Sequence, residues 1–429
     1  MNTLKKASLK LFLGLLISSV GCVSIQNDYH KWEVYGGSKD NIRYSQLSEI
    51  DTTNVSTLQK VWEFSTNDQD RFTQIQANPI IVDQVLYGIS PKLKLFALDA
   101  ATGIQKWLFD PYQANPHEIK GQGYFSMNVS RGVTYYSDQK SSRLFYAAGP
   151  NLFCVDGSTG KLVKNFGENG RLDLHNDLDR DAASLYIAMT SPGIIFKDMI
   201  IIGSRVNEGA AAAPGYIRAY DVHTGALRWK FHTIPKPGEE GYESWDDKDA
   251  WKNIGGANAW AGFSLDEKRG IVYAPIGSAS YDFYGGKRKG DNLFANSILA
   301  LDASTGKKIW HFQTIHHDVW DRDLPTAPAL INLLIDGKKI DALAQPTKGG
   351  IVYLFDRTTG EPLFPIKEIP VPNSSELEGE QLSATQPWPT GITPFARQAF
   401  TELNINALVS DEEQEEIRQK LRLLSTGFT

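Results

Sequence analysis

The chain has 429 residues, ample for a large core, and a formal net charge of -6 at pH 7. Neither sign of charge forms a strong cluster, so nothing points to a nucleic-acid partner. There are two cysteines and no Cys-x-x-Cys-His, so this chain binds no c-type haem by itself.

Residues 1–22 read as a removable export signal. Lys5, Lys6 and Lys10 precede an apolar run from Leu11 to Val20, too short to span a bilayer. Ser19-Val20-Gly21-Cys22 resembles a bacterial lipobox, although Ser19 stands where Leu is usual. The expected location is the periplasm, with a lipid on Cys22 anchoring the protein to the outer membrane. An ordinary signal on a soluble periplasmic protein is the plainer alternative. If Cys22 is lipidated, Cys154 has no partner for an intramolecular disulfide.

From residue 23 onward the chain is punctuated by five copies of Asp-x-x-Thr-Gly, ending at Gly103, Gly160, Gly225, Gly306 and Gly360. Each follows a strand-like apolar run such as Leu95-Phe96-Ala97-Leu98. Trp107, Trp229 and Trp310 stand four residues after their glycines; Lys164 and Phe364 take that place in the second and fifth copies. The glycines lie 57, 65, 81 and 54 residues apart, a period that signals units stacked face to face. Gly supplies a backbone angle that other residues resist, Asp and Thr bond the turn's own backbone, and the Trp ring can wedge between sheets. Strand, tight turn, strand at this interval describes an all-β fold, a β-propeller of four-stranded antiparallel blades, with five to six blades here. A β-sandwich offers similar hairpins but no reason to repeat their turn chemistry. Residues 235–258 read as the inserted loop behind the longest gap.

Near the end, Ser410-Asp411-Glu412-Glu413 forms a helix start with a capping box. Ile417, Leu421 and Leu424 should line one face, with Gly427 as the C-terminal cap. The sequence stops two residues later without a sixth repeat. The expectation is therefore a 23–429 propeller domain that is incomplete at its C-terminus.

From Trp32 onward the chain resembles the PQQ-dependent (pyrroloquinoline quinone) dehydrogenases, above all their membrane-associated glucose, quinate or shikimate branch. Three stretches carry the resemblance: His316-His317-Asp318-Val319-Trp320-Asp321-Arg322-Asp323-Leu324-Pro325, Lys348-Gly349-Gly350-Ile351-Val352-Tyr353, and Gly379-Glu380 through Thr385-Gln386-Pro387. The family fold is an eight-bladed propeller with PQQ and a divalent cation, usually Ca2+, on its axis. The resemblance implies that Asp321 is the base that takes the alcohol proton, and a cation ligand as well. A carboxylate suits this role because a nearby cation keeps it ionised. Asp318 and Asp323 read as turn residues capping backbone groups. Lys348 would donate to the quinone oxygens and stabilise the charge that develops there.

Glu208 matches an acidic cation ligand, and Ser280 a second one, though the family has Asn or Thr at that place and a hydroxyl is a weaker ligand. Trp260 matches the ring that floors the planar cofactor. Arg131 matches a guanidinium that pairs a PQQ carboxylate, and Thr190 and Gln76 two further contacts. Gln76 departs from the acid of many relatives, and Phe125-Ser126-Met127 carries neither the adjacent cysteines nor the His of the two branches. A plain reading accompanies each residue: Glu208 as a solvated loop acid, Lys348 as an exposed loop cation, Trp260 as core. His316 and His317, adjacent on a strand, would face opposite ways and bind no common zinc.

The resemblance implies a periplasmic oxidoreductase acting on the CH-OH group of a sugar, polyol or cyclic alcohol, with a quinone or cytochrome c as electron acceptor. A non-catalytic propeller lipoprotein that scaffolds membrane assembly, or the inactive fragment of a split quinoprotein, remain the alternatives.

Overall fold

The computed structural model describes residues 29–114, 129–138 and 140–424. The signal segment, Cys22, Phe125-Ser126-Met127 and Gly427 lie outside the described residues. Each Asp-x-x-Thr-Gly copy forms the turn after the third strand of a sheet. The first blade pairs Ile80–Val82, Val85–Ile89, Leu95–Asp99 and Gln105–Phe109 in that order, all antiparallel. The second runs Thr134–Ser137, Ser142–Ala148, Asn151–Asp156, Arg171–Asp173; the third Ile194–Phe196, Met199–Ile202, Ile217–Asp221, Leu227–Phe231. The fourth uses Ser264–Asp266, Ile271–Pro275, Ser297–Asp302 and Lys308–Gln313, and the fifth has three strands, Ala329–Ile335, Lys338–Pro346 and Val352–Asp356. Two further ribbons pair Ile187–Ala188 with Arg205–Val206 and Ile366–Pro370 with Thr385–Pro389.

In all five copies the Asp Oδ1 accepts from the Thr backbone N–H and the Gly N donates to the Asp carbonyl; the Thr hydroxyl adds a bond to the Asp in the first four. In the first, Asp99 Oδ1 accepts from Thr102 N at 3.0 Å and Thr102 Oγ1 at 2.9 Å, while Gly103 N donates to Asp99 O at 2.8 Å. The five glycines adopt φ between +70° and +77°, where any Cβ is penalised. These hydrogen bonds pull the exposed Asp99 carboxyl below its ordinary range.

Apolar layers lie between successive blades, because strands covered on both faces alternate their side chains between two neighbours. In the second blade Leu144 and Tyr146 face the first blade's Tyr87 and Leu95, while Phe145 and Cys154 face the third blade's Ile200 and Ile202. In the fourth, Val272 and Ala274 face backward and Ile271 and Tyr273 forward. Each fully buried Ile, Leu or Phe contributes roughly 1.5–3 kcal/mol. Cys154 is buried and unpaired, and burial pushes its thiol up to about 12, so it is inert packing.

The inserted loop between the third and fourth blades carries two short helical turns, Tyr242–Ser244 and Ala250–Asn253, and a fully buried Trp245. Asp179 ties it down, with Lys236 Nζ at 2.6 Å and His232 Nε2 at 2.9 Å, beside Lys230 of the third blade. At the C-terminus, Asp411–Leu421 forms the expected helix, and Ser410 and Glu413 complete the capping box. The helix buries no residue, and Leu424, beyond its last turn, is 64% exposed. Among the described residues no helix is long and apolar enough to cross a membrane.

The first strands of the second to fifth blades run side by side around a hub. The loops leading into them are laced together: Asn78 N donates to Arg131 O at 2.9 Å, Arg131 N to Thr190 O at 2.8 Å, and Ser191 Oγ to Trp260 O at 2.7 Å. This lacing brings equivalent loops from different blades to one face.

Candidate active site

Two sets of loops build the site. Arg131, Thr190, Trp260 and the Asp321–Asp323 pair precede the first strands of the second, third, fourth and fifth blades. Glu208, Asp282 and Lys348 follow the second strands of the third, fourth and fifth. The two sets enclose a cavity of about 210 Å³ whose wall includes Arg131, Glu208, Trp260, Asp321 and Lys348. A second cavity of about 360 Å³, walled by Trp320, Arg322 and Arg397, shares Asp321 and Lys348 with the first.

Asp318 shapes the loop that presents Asp321. Its carboxylate, 3% exposed, accepts from Trp320 N at 2.9 Å, Arg322 N at 2.6 Å and Asn296 Nδ2 at 2.9 Å. Asp318 thus caps backbone groups, and Asp321 emerges between them in a left-handed conformation, φ +53°. Lys348 Nζ donates to Asp321 O at 2.8 Å and pairs with Asp321 Oδ2 at 3.0 Å. Burial and the neighbouring Asp323 push the Asp321 carboxyl up to about 6, against the lowering effect of Lys348. Burial pulls Lys348 down, but Asp323 and Asp321 outweigh it and hold the ammonium above its ordinary value.

Trp260 is fixed by its Nε1, which donates to Asp323 Oδ2 at 2.8 Å. The Arg131 guanidinium stands 5.3 Å and the Lys348 ammonium 6.0 Å from its ring centroid. Arg131 Nη1 and Thr190 Oγ1 are both buried without a hydrogen-bond partner among the described residues. Glu208 is the outermost member: its carboxylate is 56% exposed and meets Arg205 Nη2 at 3.2 Å.

Four sequence expectations need correction. Thr190 is buried and absent from the cavity wall, so its hydroxyl does not face the space that Arg131 and Trp260 line. Gln76, in the loop before the first strand of the first blade, is exposed, bonds Gln74 Oε1 at 3.2 Å and is absent from the cavity wall. Ser280 is also outside that wall, because its Oγ is taken by Gly255 N at 3.3 Å. Asp323 does cap Ser278 N, but it also lines the cavity and anchors Trp260. The two histidines lie in bends beyond the strand that ends at Gln313, not on it, and take separate partners: His317 Nδ1 meets Gly290 O at 2.7 Å, and His316 Nδ1 meets Gln313 Oε1 at 2.7 Å.

A family profile described as "PQQ: Glucose/ethanol/alcohol dehydrogenase, beta-propeller domain" matches residues 32–427. The chain belongs to this PQQ dehydrogenase propeller family. It is 33% identical over 377 residues to the quinoprotein glucose dehydrogenase of Escherichia coli (strain K12), covering 83% of this chain and 46% of that protein. It is 33% identical over 400 residues to the quinate/shikimate dehydrogenase (quinone) of Acinetobacter baylyi, covering 86% of this chain and 48% of that one. The chain thus spans about half the length of the curated relatives it matches. Among solved structures, the quinohemoprotein alcohol dehydrogenase from Comamonas testosteroni superposes with a TM-score of 0.66 at 25% identity, over 83% of this chain and 52% of that one.

Within this PQQ-family cavity, sequence reasoning missed Arg205, Asn258 and Asp282. Asp282 is the most perturbed of them: burial first, then Asp323, Asp321 and Glu208, push its carboxyl up to about 9. An acid seven residues past the strand end at Pro275 carries no motif, so only the fold could reveal it. Among the described residues no three Asp, Glu, His or Cys side chains converge closely enough to hold a metal alone. Any cation here would need oxygens from elsewhere to complete its shell.

Proposed function

We propose that this chain is the propeller of a periplasmic PQQ-dependent dehydrogenase that oxidises a hydroxyl of a sugar, polyol or cyclic alcohol. The observation that carries the reading is the shared cavity of Arg131, Glu208, Trp260, Asp321 and Lys348, residues drawn from four blades.

The residues present fit PQQ and a divalent cation. Arg131 lines the cavity, and its buried Nη1, which lacks a partner, would find one on a polycarboxylate. The Trp260 indole offers a flat wall. Glu208 and Asp321 would offer hard oxygens to a cation such as Ca2+. When bound, PQQ accepts the hydride from the carbinol carbon.

The protein's own part is orientation and charge. Asp321, raised toward neutrality and open to the larger cavity, takes the hydroxyl proton as the C–H bond gives up its hydride. Lys348 holds Asp321 in place through two contacts and brings a positive charge to the side where negative charge develops. Trp320, 57% exposed, forms an apolar wall for the substrate's carbon face.

Residues 1–22 support export and a lipid on Cys22, with residues 23–429 as the propeller domain; a quinone or cytochrome c would collect the electrons. The test is titration of the purified protein with PQQ and calcium, followed by quenching of tryptophan fluorescence. Saturable, calcium-dependent quenching that weakens in Glu208→Ala is expected. A wild-type protein that takes up no PQQ would overturn the reading and leave the propeller as a scaffold.

A further inference from the structure

Every other carboxylate in the cavity wall is engaged by the protein itself. Asp321 and Asp323 share Lys348, Asp323 also holds Trp260 and Ser278, and Glu208 meets Arg205. Asp282 differs. It is 5% exposed and lines the cavity, yet among the described residues its carboxylate receives no hydrogen bond and no ion pair. Its position is nonetheless fixed, because Asp282 N donates to Glu208 O at 3.1 Å. Arg288, the cation that acts on it through space, commits its N–H groups to Tyr281 O at 2.9 Å, Asn292 Oδ1 at 3.0 Å and Asp318 O.

A buried carboxylate without a partner is costly, and it is retained where something outside the chain relieves it. The surroundings decide what that is. Asp321, Asp323 and Glu208 all act on Asp282 with negative charge. Without a cation, a proton on Asp282 relieves that repulsion; a neutral hydrogen-bond donor would satisfy one oxygen without answering the surrounding carboxylates, whereas a cation can displace the proton and neutralise the whole cluster. The available atoms are carboxylate oxygens with no sulfur or imidazole among the wall residues, which suits a hard cation of the calcium type.

We propose that Asp282 is a direct ligand of a hard divalent cation, joined to Glu208 through the backbone link between them, and that Ser280 is not. The proposal deepens the functional reading above, which places a cation in this cavity. Because no three such side chains already converge, the protein supplies part of the shell and water or a bound ligand the rest.

The test uses the metal alone, without PQQ. Terbium(III) bound near an indole luminesces on tryptophan excitation, and calcium competes it away. The wild-type chain, Asp282→Asn, Glu208→Gln and Ser280→Ala are compared. Asp282→Asn should weaken calcium binding about tenfold or more, while Ser280→Ala leaves it unchanged. Thermal melting guards against misfolding: without calcium Asp282→Asn should melt at or above the wild-type temperature, and the calcium-induced rise should vanish. The proposal is overturned if wild type binds neither metal, if Asp282→Asn binds calcium as wild type does, or if that variant melts lower without calcium. Uptake of calcium through Asp282 by a chain that ignores PQQ would sink the dehydrogenase reading and leave this one standing.

Discussion

The indole of Trp310, in the fourth blade, occupies the space where a Cβ on Gly360, in the fifth, would stand: that atom would come within 2.7 Å of Trp310 Cδ2. The same contact joins Trp62 to Gly103, Trp107 to Gly160 and Trp229 to Gly306. Three of these indoles also donate across the blade boundary: Trp310 Nε1 to Arg357 O at 3.0 Å, Trp229 Nε1 to Ala303 O at 3.1 Å and Trp107 Nε1 to Gly157 O at 3.1 Å. The Trp and the Gly of the repeat are thus two halves of one contact, made by successive units. Lys164 breaks the series, and the turn it leaves uncovered rests on backbone instead: Gly167 N donates to Thr224 O at 2.8 Å, beside Gly225.

Gly360→Ala should therefore cost more than backbone strain. The left-handed φ of +77° penalises any Cβ by about 1–2 kcal/mol, and displacing a packed indole adds about 1–3 kcal/mol. Gly337, with φ +74° and nothing within 4 Å of its Cβ position, isolates the first effect. In urea unfolding, Gly360→Ala should lose clearly more stability than Gly337→Ala. Equal losses would mean that the indole gives way freely.

Asp179 offers a test by pH. Burial opposes its ionisation, but Lys230 and Lys236 outweigh that and hold the carboxyl at about 2, below its ordinary 3.8. A depressed acid binds fewer protons folded than unfolded between those values, so its contribution is complete above about 3.8 and is lost as pH falls toward about 2. Asp179→Asn should cost about 2 kcal/mol at pH 7, with the difference from wild type shrinking through that acidic window. A pH-independent difference would assign the loss to packing of the inserted loop.

The repeat turns were legible in sequence because their chemistry is local: Asp, Thr and Gly act within five residues. The stacked apolar layers followed from that period, and so did the insertion between Gly225 and Gly306. The site was legible where a residue sits in a dense motif, as Asp321 does after Trp320. It was not legible where two blades make it. Asp282 owes its burial to loops from other blades, and the place of Asp323 against Trp260 depends on a contact 63 residues away in sequence. Ser280 fails for a like reason: the spacing suits a ligand, but the backbone N–H of Gly255, 25 residues away in sequence, claims its hydroxyl. Gln76, in a loop before a first strand, has no neighbour to turn it inward.

Lys348→Met should raise the proton affinity of Asp321. Lys348 lowers that carboxyl through a hydrogen bond and through charge, so its loss leaves burial and Asp323 to act unopposed. Asp321 should bind its proton about tenfold more tightly, read as a shift of its carboxyl carbon titration by NMR in the cofactor-free protein. A base works only when deprotonated, so the acid limb of dehydrogenase activity should lie at higher pH in the variant than in wild type. Lys348→Arg, which keeps the charge, should shift both less. A titration that does not move would show that Lys348 is too well solvated to govern Asp321.

Arg131 separates cofactor binding from folding. Its backbone laces the hub through Asn78 and Thr190, but its Nη1 has no protein partner, so the guanidinium adds little to the fold. Arg131→Ala should melt at or slightly above the wild-type temperature, since a buried charge is removed. Its affinity for PQQ, measured by quenching of tryptophan fluorescence, should fall about 10–100-fold, the worth of a charge-assisted hydrogen bond. Arg131→Lys should recover only part of this, because an ammonium cannot reproduce the planar two-pronged grip on a carboxylate. Unchanged PQQ affinity in Arg131→Ala would mean that the guanidinium serves Trp260 alone, 5.3 Å from its ring centroid, and that the carboxylates of the cofactor lie elsewhere in the cavity.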